Sequence, residues 1–345
     1  MRKITLFLTV LSVFFAVNAK SFRELTVLQF NIWQEGTVIP GGFEAIADEI
    51  ARLEPDFVTL SEVRNYKNTR FCDRITEALR NRGKEYYSFY SDDTGLLSRY
   101  PITDSVTVFP LNDDHGSIYR LNAKIDNREF AVYTGHLDYL NDTYYEVRAY
   151  DGNTWKKMEA PLTDVAEIHR RNSLSQRDEA IDSFIKDAAV QVTNGAMIIF
   201  GGDFNEPSHL DWIEATKDSA DHHGVVIEWE NTKKLYDAGY RDSYRVLYPD
   251  PVTHPGYTYP SANPARKPET VTWAKESDER DRIDYIFYLP INGMEPVEAF
   301  IFGPEESIAY SREVPSASQD KFITPLGVWP TDHQGVLVKF RYLAE

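Results

Sequence analysis

Gly201-Gly202-Asp203-Phe204-Asn205 follows the apolar run Ala196 to Phe200, so an Asp and an Asn arrive where a buried strand ends. A fully apolar run of that length reads as an inner strand. The two glycines are expected to let the backbone turn sharply there, and Asp203 and Asn205 to share a face. Four more strand-like runs end in reactive types: Leu25 to Phe30 in Asn31, Phe57 to Leu60 in Glu62, Glu129 to Thr134 in His136, while Asp284 lies within Arg282 to Tyr288. Asp332 and His333 directly precede the closing strand Gly335 to Tyr342. Asn31 and Glu62 offer the hard oxygen ligands that Mg2+ prefers while leaving most of its octahedron to water and substrate. His333 is the expected general base, because imidazole changes protonation near neutral pH.

The motifs run in the order NIW at Asn31, SEV at Glu62, GHLDY at His136, GGDFNEP at Asp203, RIDYIFY at Asp284 and TDH at His333. In that order the chain resembles the endonuclease/exonuclease/phosphatase superfamily. Its members include deoxyribonuclease-I-like nucleases, abasic-site endonucleases, neutral sphingomyelinases and inositol polyphosphate phosphatases. The resemblance spans nearly the whole chain and implies a four-layer sandwich. It further implies phosphoester hydrolysis by water, with Mg2+ or Mn2+ held by Asn31, Glu62 and Asp332. Asp284 would orient His333, Asp203 and Asn205 would hold the attacking water and a phosphoryl oxygen, and His136 would donate to that oxygen. Within the superfamily the base has been argued to be either the Asp of the GDxN motif or the final His, and both remain open here. Trp33 stands where some nuclease branches carry an additional Asp.

The elements that must position these residues read as strands at 25–32, 57–62, around 94–109, 117–125, 128–136, 196–200, 282–288 and 335–342. Helices are expected at 43–53, 71–82 and 176–189, the last with Ser175 as its N-cap and Asp178 completing a capping-box-like spacing. Helices interleaved with strands and hairpins argue for an α/β (α+β) architecture, two packed mixed β-sheets flanked by helices. Two connections are longer than packing requires, Asp138 to Ser175 and Glu206 to Trp273. Both are rich in aromatic residues, which argues for order rather than disorder. Each begins directly after a reactive motif, so both are expected to wall the pocket, with Tyr150, Trp155 and Arg177 as substrate-binding candidates.

Met1-Arg2-Lys3, the apolar run Ile4 to Val17 and Ala19 form a secretory signal, with cleavage expected near Ala19. The run is shorter than the roughly 18 apolar residues that a membrane span needs. Residues 20–345 are expected to form one domain without linkers or repeats. Cys72 is the only cysteine, so no internal disulfide forms. The net charge of −17 repels polyanions, whereas duplex DNA binding draws on Lys and Arg at phosphates. The expected protein is therefore a secreted or periplasmic monomer acting on a small or lipid phosphodiester, with a secreted deoxyribonuclease-I-like nuclease as the alternative. A catalytically silent binding module is disfavoured, because every catalytic position carries a competent residue.

Overall fold

The computed structural model describes residues 21–344. The expected signal segment and its cleavage near Ala19 lie outside the described residues. Among those described, no helix is long and apolar enough to cross a membrane.

The strands are β1 (Phe22–Asn31), β2 (Phe57–Val63), β3 (Tyr87–Ser88), β4 (Asp93–Ser98), β5 (Ile102–Phe109), β6 (Gly116–Ile125), β7 (Arg128–Leu137), β8 (Met197–Asp203), β9 (Arg241–Asp242), β10 (Asp284–Tyr288), β11 (Glu295–Phe302), β12 (Ser307–Ala309), β13 (Arg312–Val314), β14 (Phe322–Ile323) and β15 (Gly335–Leu343). The helices are α1 (Gly42–Leu53), α2 (Phe71–Asn81), α3 (Thr143–Val147), α4 (Val165–Asn172), α5 (Arg177–Thr193), α6 (Glu230–Asp237) and α7 (Ser243–Leu247). One sheet has the order β14-β11-β15-β1-β2-β4-β3 and the other β5-β6-β7-β8-β10-β9, with β12 and β13 forming a separate hairpin. Both are mixed: β1 and β2 pair parallel, as do β7 and β8, while β1–β15 and β8–β10 are antiparallel.

Three apolar layers hold the sandwich together. Between the sheets, Val27, Phe57, Leu121, Val132, Ile199, Ile286 and Val338 are buried against one another. On the outer face of the first sheet, Phe30, Val58 and Leu60 pack on Ile46 and Ile50 of α1 and Ile75 of α2. On the outer face of the second, Tyr133, Ile198 and Phe200 pack on Ile181 and Phe184 of α5 and Leu235 of α6. Helix, sheet, sheet and helix are the four layers that the sequence leads one to expect. Alternation with period two explains which residues face inward.

Three local expectations change. The strand β8 does not turn at its glycines but continues through both to Asp203. The glycines are there for close approach, since a Cβ on Gly201 would stand 2.2 Å from Thr59 Oγ1 of the opposing sheet, and one on Gly202 2.5 Å from the Gly135 carbonyl oxygen of β7. Helix α5 runs on to Thr193 and is preceded by Gln176, with no side-chain cap; Ser175 Oγ accepts only a long bond from Arg177 N, at 3.4 Å. The long connections contain α3, α4, α6 and α7, and they pack on each other through Tyr144, Tyr145, Ile168, Trp212 and Trp229 as a further apolar cluster.

Candidate active site

Along the inner face of β1 the alternation runs Leu25, Val27, Gln29, Asn31, from core to polar. The same change occurs along β2 (Phe57, Thr59, Ser61) and β8 (Met197, Ile199, Gly201, Asp203). The inter-sheet space is thus apolar along most of its length and polar at one end. There Thr59 donates to Gln29 Oε1 at 2.6 Å, and Gln29 Nε2 donates to Asp284 Oδ1 and Ser61 Oγ, each at 3.2 Å. Strand register brings His136, Asp203 and Asp284 side by side, because His136 pairs with Asp203 across β7–β8 and Asp284 with Asp203 across β10–β8.

Asp284 is fixed at its backbone as well, with its N–H donating to Thr258 Oγ1 at 3.1 Å. Its Oδ2 lies 2.9 Å from His333 Nδ1. The other ring nitrogen, Nε2, is 3.4 Å from Asn31 Nδ2 and 3.8 Å from Asp203 Oδ2. Asp203 Oδ2 accepts from Asn31 Nδ2 at 2.9 Å and its Oδ1 from Asn205 N at 3.0 Å. Asn205 is anchored by donating to the Leu137 carbonyl at 2.9 Å. A second imidazole is held in the same manner, with His136 Nδ1 3.0 Å from Asp93. Asp93 also pairs with Arg64 at 2.9 Å.

Glu62 reaches the cavity because β2 is irregular against β4 between Ser61 and Val63 and Glu62 itself has φ 68°. Such bulges re-aim a side chain. Trp33, Gln34 and Glu35 all have positive φ as well. These conformations cost energy in non-glycine residues and gather at functional sites. Their effect here is visible, since Gln34 N donates to Glu62 Oε2 at 3.0 Å.

The carboxylates and imidazoles perturb one another strongly. Burial by itself would depress His333, but Asp284 and Asp203 outweigh it and push the imidazole up to about 10. His136 follows the same pattern, with burial opposed by Asp93 and the balance up to about 9. Burial, and then the charge of Asp284, push Asp203 up to about 6. Burial dominates at Asp332, where Glu62 and Asp203 add to it against His333 and the carboxyl rises to about 7. Carboxylates crowded in this way suit a cation. Asp203, Asp284 and His333 are close enough to share one, yet Asp284 and His333 are already engaged with each other. Glu62 and Asp332 line the cavity, and neither is in an ion pair among the described residues. Asn31 Nδ2 donates to Glu62 Oε1 at 3.2 Å and its Oδ1 accepts from Trp33 N at 2.9 Å, so the carboxylates of Glu62 and Asp332, with the remaining lone pair of Asn31 Oδ1, are the hard oxygen donors this edge offers a divalent ion.

The cavity, of about 310 Å3, is lined on one side by Glu62, His136, Asp203, Asn205, Asp332 and His333 and on the other by Tyr139, Tyr144, Tyr145, Trp155 and Trp273. Trp155 is therefore where the sequence places it, stacked on Tyr139 and packed against Trp273 at 5.1 Å. Tyr150 is not: it is buried in the cluster formed by the two long connections, and its hydroxyl accepts from Glu276 N at 2.9 Å. Arg177 is also excluded from the pocket. It is fully buried beneath it, donating to Asp142 Oδ1 at 2.8 Å and to the carbonyls of Asp138, Leu140 and Asn141. A guanidinium that binds this many protein acceptors is a brace for the first long connection, not a substrate ligand. Asp93, Arg64 and Gln29 join the site without having been singled out in the sequence. Asp93 had a faint signal, the second of two adjacent acids just ahead of the Leu96-Leu97 pair of β4. Gln29 had another, a polar residue on the inward face of β1.

Two mixed sheets whose inner faces turn from apolar to carboxylate and imidazole at one end define an α/β sandwich of the phosphoesterase and nuclease type. The chain belongs to the endonuclease/exonuclease/phosphatase family, whose model matches residues 28–333. Enzymes of this family hydrolyse phosphodiester bonds and depend on divalent metal ions. A Caenorhabditis elegans protein described only as uncharacterized is 27% identical over 339 residues, 95% of each chain. Among solved structures, truncated Caenorhabditis elegans TDP2 is 15% identical with a TM-score of 0.53, covering 93% of this chain and 98% of its own. D. rerio TDP2 complexed with a single-strand DNA product is 16% identical with a TM-score of 0.52, covering 92% and 98%. The human Nocturnin catalytic domain with a bound sulfate anion is 16% identical with a TM-score of 0.51, covering 93% and 97%. At these identities the structural likeness concerns the fold alone.

Proposed function

We propose that the protein is an exported phosphodiesterase, dependent on Mg2+ or Mn2+, that hydrolyses a small or lipid phosphodiester. The observation that carries the substrate class is the cavity itself. It is walled by seven tryptophan and tyrosine rings and five carboxylates, with Arg64 as the only Arg or Lys among its described lining residues. Such a pocket favours a compact diester with an organic group over a long polyanion, which draws on many Lys and Arg contacts. Aromatic faces also hold cationic head groups well.

Asn31, Glu62 and Asp332 would hold the metal, which when bound polarises the phosphoryl oxygens and offsets their charge. The protein's own residues do the remaining work. Asp203, raised to about 6 and so ionised at neutral pH, takes the proton from the attacking water, while His333, kept protonated by Asp284, holds its Nε2 3.8 Å from Asp203 Oδ2 and offsets the charge that builds there. Asp284 keeps Nδ1 of His333 occupied, so Nε2 is the nitrogen that faces the reaction. Asn31 and Asn205 hold Asp203 in place through its two oxygens. His136, kept protonated by Asp93, donates to a phosphoryl oxygen as charge builds on it.

A nuclease acting on single strands is the second reading. One observation favours it: the Tyr139–Trp155–Trp273 stack could receive bases, and aromatic stacking is how strands are bound without sequence preference. A panel of sphingomyelin, single- and duplex-stranded DNA, RNA, inositol phosphates and simple diesters decides between them. Turnover of the small or lipid diesters well above the nucleic acids is expected. Efficient cleavage of DNA at nanomolar enzyme and physiological salt would replace this reading with the nuclease.

A further inference from the structure

Arg64 has an unusual setting. Its Nη1 is 2.9 Å from both Asp93 Oδ1 and Asp114 Oδ1, while its Nε and Nη2 make no hydrogen bond among the described residues. One nitrogen of the guanidinium is thus clamped between two carboxylates, its other two nitrogens are not engaged by hydrogen bonds among the described residues, and the side chain lines the cavity. The clamp is built from the backbone outward. Buried Glu35 accepts from the N–H of Arg64 at 2.9 Å and of Asn65 at 2.6 Å, which fixes the chain where Arg64 leaves β2. Asp114 comes from the connection between β5 and β6 and is half exposed.

We propose that the Arg64–Asp114 pair makes this cavity selective for a singly charged phosphodiester over a doubly charged phosphomonoester, an inference that rests on the phosphoesterase reading of the site. The Nε–Nη2 edge matches one oxyanion, which it binds in the forked geometry that guanidinium gives to phosphates. The second charge of a monoester finds no further Arg or Lys on the described wall. The imidazoles of His136 and His333 lie elsewhere on the wall, whereas Asp114 stands 2.9 Å from the same guanidinium, so a second anionic charge held at Arg64 meets a carboxylate and loses more to like-charge repulsion than it gains. Arg64 is then the anion anchor and Asp114 the charge filter.

The test compares wild type, Arg64→Gln and Asp114→Asn on bis(4-nitrophenyl) phosphate and 4-nitrophenyl phosphate. Arg64→Gln should raise KM for the diester by about 10- to 100-fold with kcat held within about threefold, the signature of lost binding rather than lost chemistry. Asp114→Asn should raise the monoester-to-diester ratio of kcat/KM by roughly tenfold, through a change in pocket charge. An unchanged KM in the first variant, or an unchanged ratio in the second, overturns the proposal. A binding arm needs no turnover: dimethyl phosphate and methyl phosphate are titrated into the full chain with Mg2+ and followed by tryptophan fluorescence. Dimethyl phosphate should bind wild type more tightly than methyl phosphate does, and lose about tenfold or more in Arg64→Gln. Equal binding by that variant, or tighter binding of the dianion by wild type, overturns the proposal even if neither ester is hydrolysed. Absence of hydrolysis by itself removes only the phosphodiesterase reading.

Discussion

Two imidazoles face this cavity, each tied through Nδ1 to a buried carboxylate, His333 to Asp284 and His136 to Asp93. If His333 and Asp284 act as one unit, His333→Ala and Asp284→Asn should each cost orders of magnitude in kcat, with the double variant little worse than either; additive losses would mean separate roles. For His136 the expectation is a pH profile. Asp93 helps raise its imidazole to about 9, so the proton-donating form persists to about that pH and is lost above it. Asp93→Asn removes that support and leaves burial to depress the group, so the alkaline limb of kcat/KM should move down by about two units, toward the ordinary histidine range. A limb that stays in place would remove His136 from the proton-donor role. Residues at strand ends were legible in the sequence because each closes an apolar run. Asp93 and Arg64 were not, since what brings them into the site is pairing through space between strands far apart in the chain. Arg177 misled for the opposite reason. In a helix's first turn it resembles an exposed phosphate clamp, and only Asp142 and the carbonyls of the preceding connection, converging from outside the helix, show it to be internal.

At the level of elements, the sheets had to approach closely at the polar end for Asn31, Asp203 and Asp284 to meet. Gly201 permits that approach toward Thr59, and Gly202 permits it toward the β7 backbone. Gly201→Ala should destabilise by about 1–3 kcal/mol through overpacking, and Thr59→Ala should recover part of the loss. Gly202→Ala should cost as much without rescue, because its obstacle is a carbonyl oxygen. Equal stability of all three variants by denaturant unfolding would contradict this account of the strand. Arg177→Ala should cost about 3–5 kcal/mol, as expected on stripping one partner from a buried ionic network; a loss of substrate binding with stability unchanged would restore it as a ligand. Most long strands and the helices of the sandwich were readable from periodicity, but the eight-residue β11 of the first sheet was not. The helices within the connections were not: α3 and α7 span only five residues each. Helices that short do not persist alone; α3 is held by packing on Tyr150, Trp212 and Trp229, and α7 by Tyr244 and Leu247 packing into the core between the sheets, which no local pattern reports.

The molecule as a whole combines a net charge of −17 with a cavity whose acids converge on the Glu62–Asp332 edge. Burying like charges together is unfavourable unless a cation relieves them. The central claim is that a divalent ion does so and that hydrolysis depends on it. The most direct test is turnover of bis(4-nitrophenyl) phosphate by the full chain, treated with chelator and then resupplied with Mg2+ or Mn2+, beside Glu62→Gln treated identically. Wild type should lose activity in chelator and regain it with metal, whereas Glu62→Gln should stay at least about 100-fold lower at unchanged thermal stability, having lost the charged ligand but kept its shape. Wild-type turnover that persists in excess chelator, or full activity in Glu62→Gln, would contradict the account.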